Sequence, residues 1–461
     1  MADVHGTTHG KKAWRNKPLF RREGDKKFRT GTEAADMLYE EAHRRDPYQT
    51  EYVKAHIVWR NLAGPDARVH AAYRRFLTAV KSFTESVVPV FDRYPKYAWV
   101  MKQLMEPERV IQFRVPWVDD LGSRRVNRGF RVQFSSCCGP YVGGLRFHPE
   151  TRHGTVKFLA FENVFRNAVY GPLGGAAGGA DFNPLDKSEA EIMRFCQSFT
   201  TELANYIGPT TDIPTAGVNV GPRELGFMFG QFKRLRQLHP LGVDGVLGGS
   251  AYFPQVPGHG LAHMAKLMVE ANGQSLVGKR CLISGSGTVA LNAADKLLDL
   301  GAIPIGFSDV WGHVIEPAGF TREQLYRLKQ IKAEHKAHLG GYIMTSTSAT
   351  YCPTEDGSLW DVPCDYAFPC AMQHDLDGTS VMLGRLHVHV EEKAKKLIKN
   401  GCKGLFEGAH LPLSQECMQD VFSAISTTAV EFNLARGDYH AATNITGFLK
   451  VAQAMFRQGA V

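Results

Sequence analysis

No run of about 18 uncharged apolar residues occurs in the chain, so no membrane-spanning helix is expected. Its nine cysteines form no C-x-x-C pair and no Cys/His metal spacing. That argues against a disulfide framework or a metal site and for free thiols in a reducing compartment. There is no internal repeat and no low-complexity tract. Net charge is scarce outside one segment: residues 1–35 carry +5 of the formal +8, through nine basic side chains against four acidic ones. A basic surface for nucleic acid is therefore expected only in that arm, which lacks a recognisable binding fold. Nor is the arm a clean signal peptide, because no apolar stretch follows its charges.

What remains is ordinary folded sequence. With 461 residues, 44% hydrophobic, 10% aromatic and 22% charged, the chain is long enough for two domains with a core in each. In the arm, Trp14, Phe20 and Phe28 stand between charges, a pattern that fits a disordered tail or a segment docking on a partner. Between Thr32 and Leu104 the periodicity is helical, as at Val87, Val90 and Phe91. Val110–Val115 and Phe130–Phe134 alternate at period two and read as strands, with a turn at Asp119–Gly122 after the first. Helices are expected at Ser188–Ile207 and Pro222–Leu238.

A second domain opens near Gly258. The apolar strand Lys279–Ser284 leads into Gly285-Ser286-Gly287-Thr288-Val289-Ala290, then a helix to Leu300 and a strand Ile303–Phe307 ending at Asp309, 22 residues beyond Gly287. Strand, G-x-G-x-x-A, helix, strand, acid is the dinucleotide fingerprint in its proper context. It puts Gly285, Gly287 and Ala290 against a pyrophosphate at a helix N-terminus and Asp309 against a ribose hydroxyl. The same glycines also suit the strand–helix turn alone. Tyr366–Phe368 and Lys403–Phe406 continue an alternating α/β pattern.

Several long segments, among them Glu106–Val115, Arg131–Ser136, Gly143–Pro149, Met193–Gln197 and Thr446–Ala452, give the chain its resemblance to the hexameric glutamate dehydrogenases. It covers roughly 45–413 and 438–461. The resemblance implies an α/β fold of two domains: a substrate-type domain with a mixed sheet over 36–240, completed by 438–461, and a Rossmann-like NAD(P)-binding domain over 241–437, with 1–35 as a basic arm. It also implies oxidative deamination of glutamate, with cations for two carboxylates, a lysine of lowered pKa and a proton-moving aspartate.

At those positions the chain departs from the family. The family's carboxylate-binding lysine in G-P-Y-K-G-G is Val142, and a second lysine is Arg166, which keeps charge but not geometry. The lysine of the glycine-rich P-x-G-G-G-K-G-G loop is Ala177, and the aspartate of P-A-G-D is Gly217. Two family asparagines are His374 and His410. Beyond Pro412 about forty residues of the family's inter-domain segment are missing, and the loss of the hinge is expected with them. Residues 56–76 are an insertion that carries Arg60, Arg68, Arg74 and Arg75.

These losses lead to the expectation of a catalytically inactive homologue, with no catalytic residue, serving as an accessory subunit of a larger assembly. Its partners would be protein subunits bound through 1–35 and 56–76. The compartment would be mitochondrial, with cytoplasmic as the alternative. No cofactor is expected for function, although NAD(P) binding through Gly285, Gly287, Ala290 and Asp309 stays open. The alternatives are an active NAD(P)-dependent glutamate or other amino-acid dehydrogenase with a rearranged site, or an NAD(P)-sensing regulatory subunit. His148 is the ordinary family residue, Cys137-Cys138 read as two buried thiols at a strand end, and His387 and His389 face apart on a helix, so no metal site is expected.

Overall fold

The computed structural model describes residues 30–45, 79–237, 255–334, 338–371, 397, 399–406 and 415–459. Nearly all of the basic arm, the 56–76 insertion, His374, His387, His389 and His410 lie outside them.

After α1 (Gly31–Arg45), α2 (Val88–Arg93) and α3 (Ala98–Gln103), the first sheet is built from β1 (Arg109–Val118), β2 (Arg124–Ser135), β3 (Tyr141–Phe147), β4 (Gly174–Ala180) and β5 (Asp212–Thr215). Its order is β1-β2-β4-β3-β5. The β1–β2 hairpin turns where Asp119 accepts the Leu121 and Ser123 N–H groups at 3.1 and 2.7 Å, with Gly122 at φ +77°. β2 runs antiparallel to β4, while β4, β3 and β5 are mutually parallel. The sheet is therefore mixed.

Helices cover both faces of this sheet. On one lie α4 (His153–Tyr170) and the chain's last helix, where Phe83, Phe161, Phe165 and Phe448 interlock as stacked and edge-to-face rings. On the other, α5 (Glu189–Leu203) starts with a capping box between Ser188 and Glu191 and buries Phe195 and Phe199 against Trp117, Phe147 and Phe182. The helix α6 (Pro222–Arg236) completes that layer.

The second unit begins with α7 (Val256–Ala271), followed by β6 (Arg280–Ile283), α8 (Thr288–Asp299), β7 (Ile303–Ser308), β8 (Gly312–Ile315), α9 (Arg322–Glu334), β9 (Thr350–Pro353), β10 (Tyr366–Phe368) and β11 (Gly404–Leu405). The strand order is β11-β10-β6-β7-β8-β9, parallel from β11 to β7 and antiparallel beyond. Gly258 lets α7 approach α8 closely, since a Cβ there would lie 2.6 Å from the Val289 carbonyl oxygen.

Two helices finish the chain, α10 (Gln415–Glu431) and α11 (Tyr439–Gln458). In α10, Val421 and Ile425 pack with Val169 of α4 and Ala442 of α11, beside Met264 of α7. Short as the inter-domain segment is, its 17-residue helix touches both units. No helix among the described residues is long and apolar enough to cross a membrane.

Candidate functional site

Glycine-rich β4, Gly-Gly-Ala-Ala-Gly-Gly-Ala, is buried along its whole length. Small residues are required because a long side chain crosses them. Arg131 on β2 stands opposite Gly178, whose added Cβ would lie 3.0 Å from the Arg131 Cδ. The guanidinium passes over β4, donates to the Gly143 carbonyl of β3 at 3.0 Å, and pairs with Asp212 of β5 through Nε at 2.9 Å and through Nη2. Gln133 donates to the same carboxylate at 2.9 Å. Both charged side chains are fully buried, so the pair holds only because each is neutralised and hydrogen-bonded by the other.

The substitutions seen in the sequence sit in this frame. Ala177 is 1% exposed and belongs to the apolar cluster with Val132, Phe134 and Phe161. Val142, 5% exposed, is equally buried, and its carbonyl accepts from Asn167 at 3.0 Å. At Gly217 a Cβ would fall on the Leu145 carbonyl of β3. An aspartate there would have to displace a strand. Of the cations expected nearby, Arg166 is half-exposed and lies 3.3 Å from Glu162 one turn earlier. Among the described lysines whose titration is shifted, Lys450 is held below its ordinary range by burial, and it donates to the Val169 carbonyl at 2.9 Å. His148 is half-buried and also held below its usual range, by burial and then by Arg146. Cys137 and Cys138 follow β2 as expected, but they are only partly buried, with sulfurs 3.8 Å apart.

The nucleotide-type turn is built with more care than its motif suggests. Gly285 adopts φ +80°, and a Cβ on it would approach the Ala371 Cα to 2.9 Å. Its N–H donates to the Ser308 hydroxyl at the end of β7 at 3.0 Å. Fully buried Ser284 accepts the N–H groups of Cys370 and Ala371 at 3.0 and 3.3 Å, tying β6 to the end of β10. Gly287 is the N-cap of α8, and none of the described residues lies within 4 Å of where its Cβ would be. Ala290 is buried behind it. Among the described residues the front of the turn is thus open, at the end of α8 whose first N–H groups have no intrahelical acceptor. These residues fit a pyrophosphate.

Asp309 takes a different place from the one its position in the motif suggests. Its side chain is 8% exposed. The carboxylate accepts N–H groups from Trp311, Gly312 and Leu339 at 3.0, 3.2 and 2.7 Å, and Lys332 lies 3.7 Å away. It holds the loop after β7 rather than reaching for a ribose hydroxyl. Trp311 projects half-exposed beside His338, their rings 5.6 Å apart, and does not fill the turn. The bracing roles of Ser284, just after β6, and Ser308, the last residue of β7, escaped the sequence reading.

Comparison with known proteins agrees with this architecture. Residues 107–234 match the family model described as Glu/Leu/Phe/Val dehydrogenase, dimerisation domain. Residues 248–419 match the model Glutamate/Leucine/Phenylalanine/Valine dehydrogenase. An NADP-specific glutamate dehydrogenase of Chlorella sorokiniana is 38% identical, covering 84% of this chain and 82% of that protein. One from Helicobacter pylori is 37% identical over 84% of this chain and 96% of its own length. A crystal structure of a glutamate dehydrogenase from Plasmodium falciparum superposes with a TM-score of 0.80 at 34% identity, covering 94% of this chain and 96% of that one.

These relatives correct the expectation of a catalytically inactive accessory subunit without a functional cofactor. That expectation weighed a few substituted positions in one constellation. The identity to NADP-specific enzymes runs through both units, and an intact nucleotide turn is the part of such an enzyme that an accessory role would not need. Nothing in the relatives supports a mitochondrial assembly either.

Proposed function

Since the chain belongs to the Glu/Leu/Phe/Val dehydrogenase family, we propose that it is an NADP(H)-dependent amino-acid dehydrogenase with a rearranged substrate site. The observation that carries this reading is the nucleotide turn, with its open face at Gly287 and its braces at Ser284 and Ser308. NADP(H), when bound, would supply or accept the hydride. Gly285 and Gly287 would let its pyrophosphate approach the N-terminus of α8. Engagement of the Asp309 carboxylate by three N–H groups and Lys332 supports NADP(H) over NAD(H). With these partners, the Asp309 charge that would repel a ribose phosphate is offset by Lys332.

On the substrate side, Val142 replaces the lysine that the family resemblance gives to one of two substrate carboxylates. Burying a carboxylate against it without a partner would cost several kcal/mol. The favoured substrate is accordingly an amino acid with an apolar side chain, or its 2-oxo acid, with Arg166 as the remaining cation for the common carboxylate. The test follows NADPH consumption with ammonium and a panel of 2-oxo acids. Turnover of branched apolar acids, with 2-oxoglutarate at least about tenfold slower, is expected from that penalty. Equal or better turnover of 2-oxoglutarate would overturn the substrate assignment. NADPH binding without any turnover would favour the second reading, nucleotide sensing, which the sealed positions Ala177 and Gly217 support.

A further inference from the structure

A site outside this machinery lies at the far edge of the second sheet. β10 and β11 are parallel neighbours, with Tyr366 opposite Gly404 and Ala367 opposite Leu405. Two residues before each of these strands stand Cys364 and Cys402, and between them the Lys403 N–H donates to the Asp365 carbonyl at 2.7 Å. The cysteines thus enter the sheet side by side. Neighbouring strands run about 4.8 Å apart, inside the Cα separation that a disulfide spans. Both side chains pack in one apolar cluster with Leu359, Trp360 and Ala367, Cys364 buried and Cys402 partly exposed.

We propose that Cys364 and Cys402 form an oxidisable dithiol that takes a small-molecule disulfide, of the glutathione type, as its co-reactant. The accessible Cys402 thiolate attacks one sulfur of that disulfide, forming a mixed disulfide and expelling one small thiolate. Cys364 then gives up its proton and attacks the Cys402 sulfur, expelling the second. Two protein thiols are oxidised, one disulfide is reduced to two thiols, and the new bond closes a loop of about forty residues.

The order of attack follows from the environment of each thiol. The hydrogen bond from Cys364 draws the Cys402 thiol down to about 7, so a substantial share of it is thiolate near neutrality. The same contact, together with burial, pushes Cys364 up, so it stays protonated while Cys402 attacks; once Cys402 is in the mixed disulfide that contact is gone, and the expelled small thiolate can take the Cys364 proton. The linked strand matters because β10 continues to Cys370 and Ala371, whose N–H groups are held by Ser284 beneath the nucleotide turn.

The test uses the full chain and needs no enzymatic activity, so its outcome is separate from that of the proposed function. The protein is incubated with oxidised glutathione, quenched by alkylation and mapped by mass spectrometry. A cross-linked peptide pair containing Cys364 and Cys402 is expected, with a Tm that rises on oxidation and returns on reduction. C364S should stop at a mixed disulfide on Cys402, and C402S should leave Cys364 alkylated. Oxidation confined to other cysteines, such as Cys137 and Cys138, with Cys364 and Cys402 both still alkylated, overturns the proposal. So does glutathione carried on Cys364 rather than Cys402.

Discussion

At the scale of single residues, Gly217 and Gly287 show how differently two glycines bear on function. The first is pressed on the Leu145 carbonyl, so Gly217→Asp is expected to lower Tm without creating a proton-transfer group. Thermal unfolding and the turnover assay check both halves. The second faces open space at a helix N-cap, where aspartate is a good cap and costs the helix nothing. Gly287→Asp should therefore leave Tm unchanged or slightly higher while weakening NADPH binding at least about tenfold, through repulsion of the pyrophosphate. Calorimetry showing equal affinity for wild type and variant would place the nucleotide elsewhere. Arg131 is a residue whose role period-two reading concealed. Alternation assigned it to the polar face of β2, and only the folded sheet, with glycine-rich β4 beneath it and Asp212 beyond, reveals that this face is buried. Asp212→Ala would strand that guanidinium in the core, and chemical denaturation should report a loss of about 3–5 kcal/mol. A loss below about 1 kcal/mol would mean the cation finds water.

At the scale of elements, those with local signals were legible and those defined by distant partners were not. The helix start at Ser188, the strand alternation at β1 and β2, and the glycine turn before α8 are all visible within a few residues of chain. The bridging role of α10 was not. Its 17 residues look too few for the family's inter-domain segment until Val421 and Ile425 are seen against Val169 and Ala442. The interface of α7 with α8 leads to a pH prediction. Burial, reinforced by Lys296, holds His259 and His263 below the ordinary histidine range, against the opposing pull of Asp299 on both and Asp295 on His259. The unfolded chain then binds more protons over the window from the folded pKa up to about 6.5, so stability rises with pH there and is lost as the pH falls through it. Tm should drop between about pH 7 and pH 5.5, and the double variant H259N/H263N should flatten that slope. Because His148 and His313 are shifted the same way, part of it should persist. An unaltered slope would show that these two imidazoles titrate normally.

At the scale of the whole molecule, two sheets share the labour: one carries the substrate-type frame around Arg131 and Asp212, the other the nucleotide turn. Part of each sheet could be read from the chain, where strands follow period-two or fingerprint patterns; glycine-rich β4, read as a loop, and β3, β5, β8 and β9 show no such pattern. The catalytic inference went astray because it treated Val142, Ala177 and Gly217 as the whole of the chemistry, whereas the likeness to NADP-specific dehydrogenases extends over more than four fifths of the chain. The central claim is hydride transfer between NADP(H) and an amino acid. It is tested most directly with NADPH carrying deuterium at the transferable nicotinamide position, ammonium, and a branched apolar 2-oxo acid, followed by mass spectrometry of the product. The account predicts an amino acid labelled at the carbon bearing the new amine; absence of any labelled amino acid, from this or any other 2-oxo acid, would contradict it.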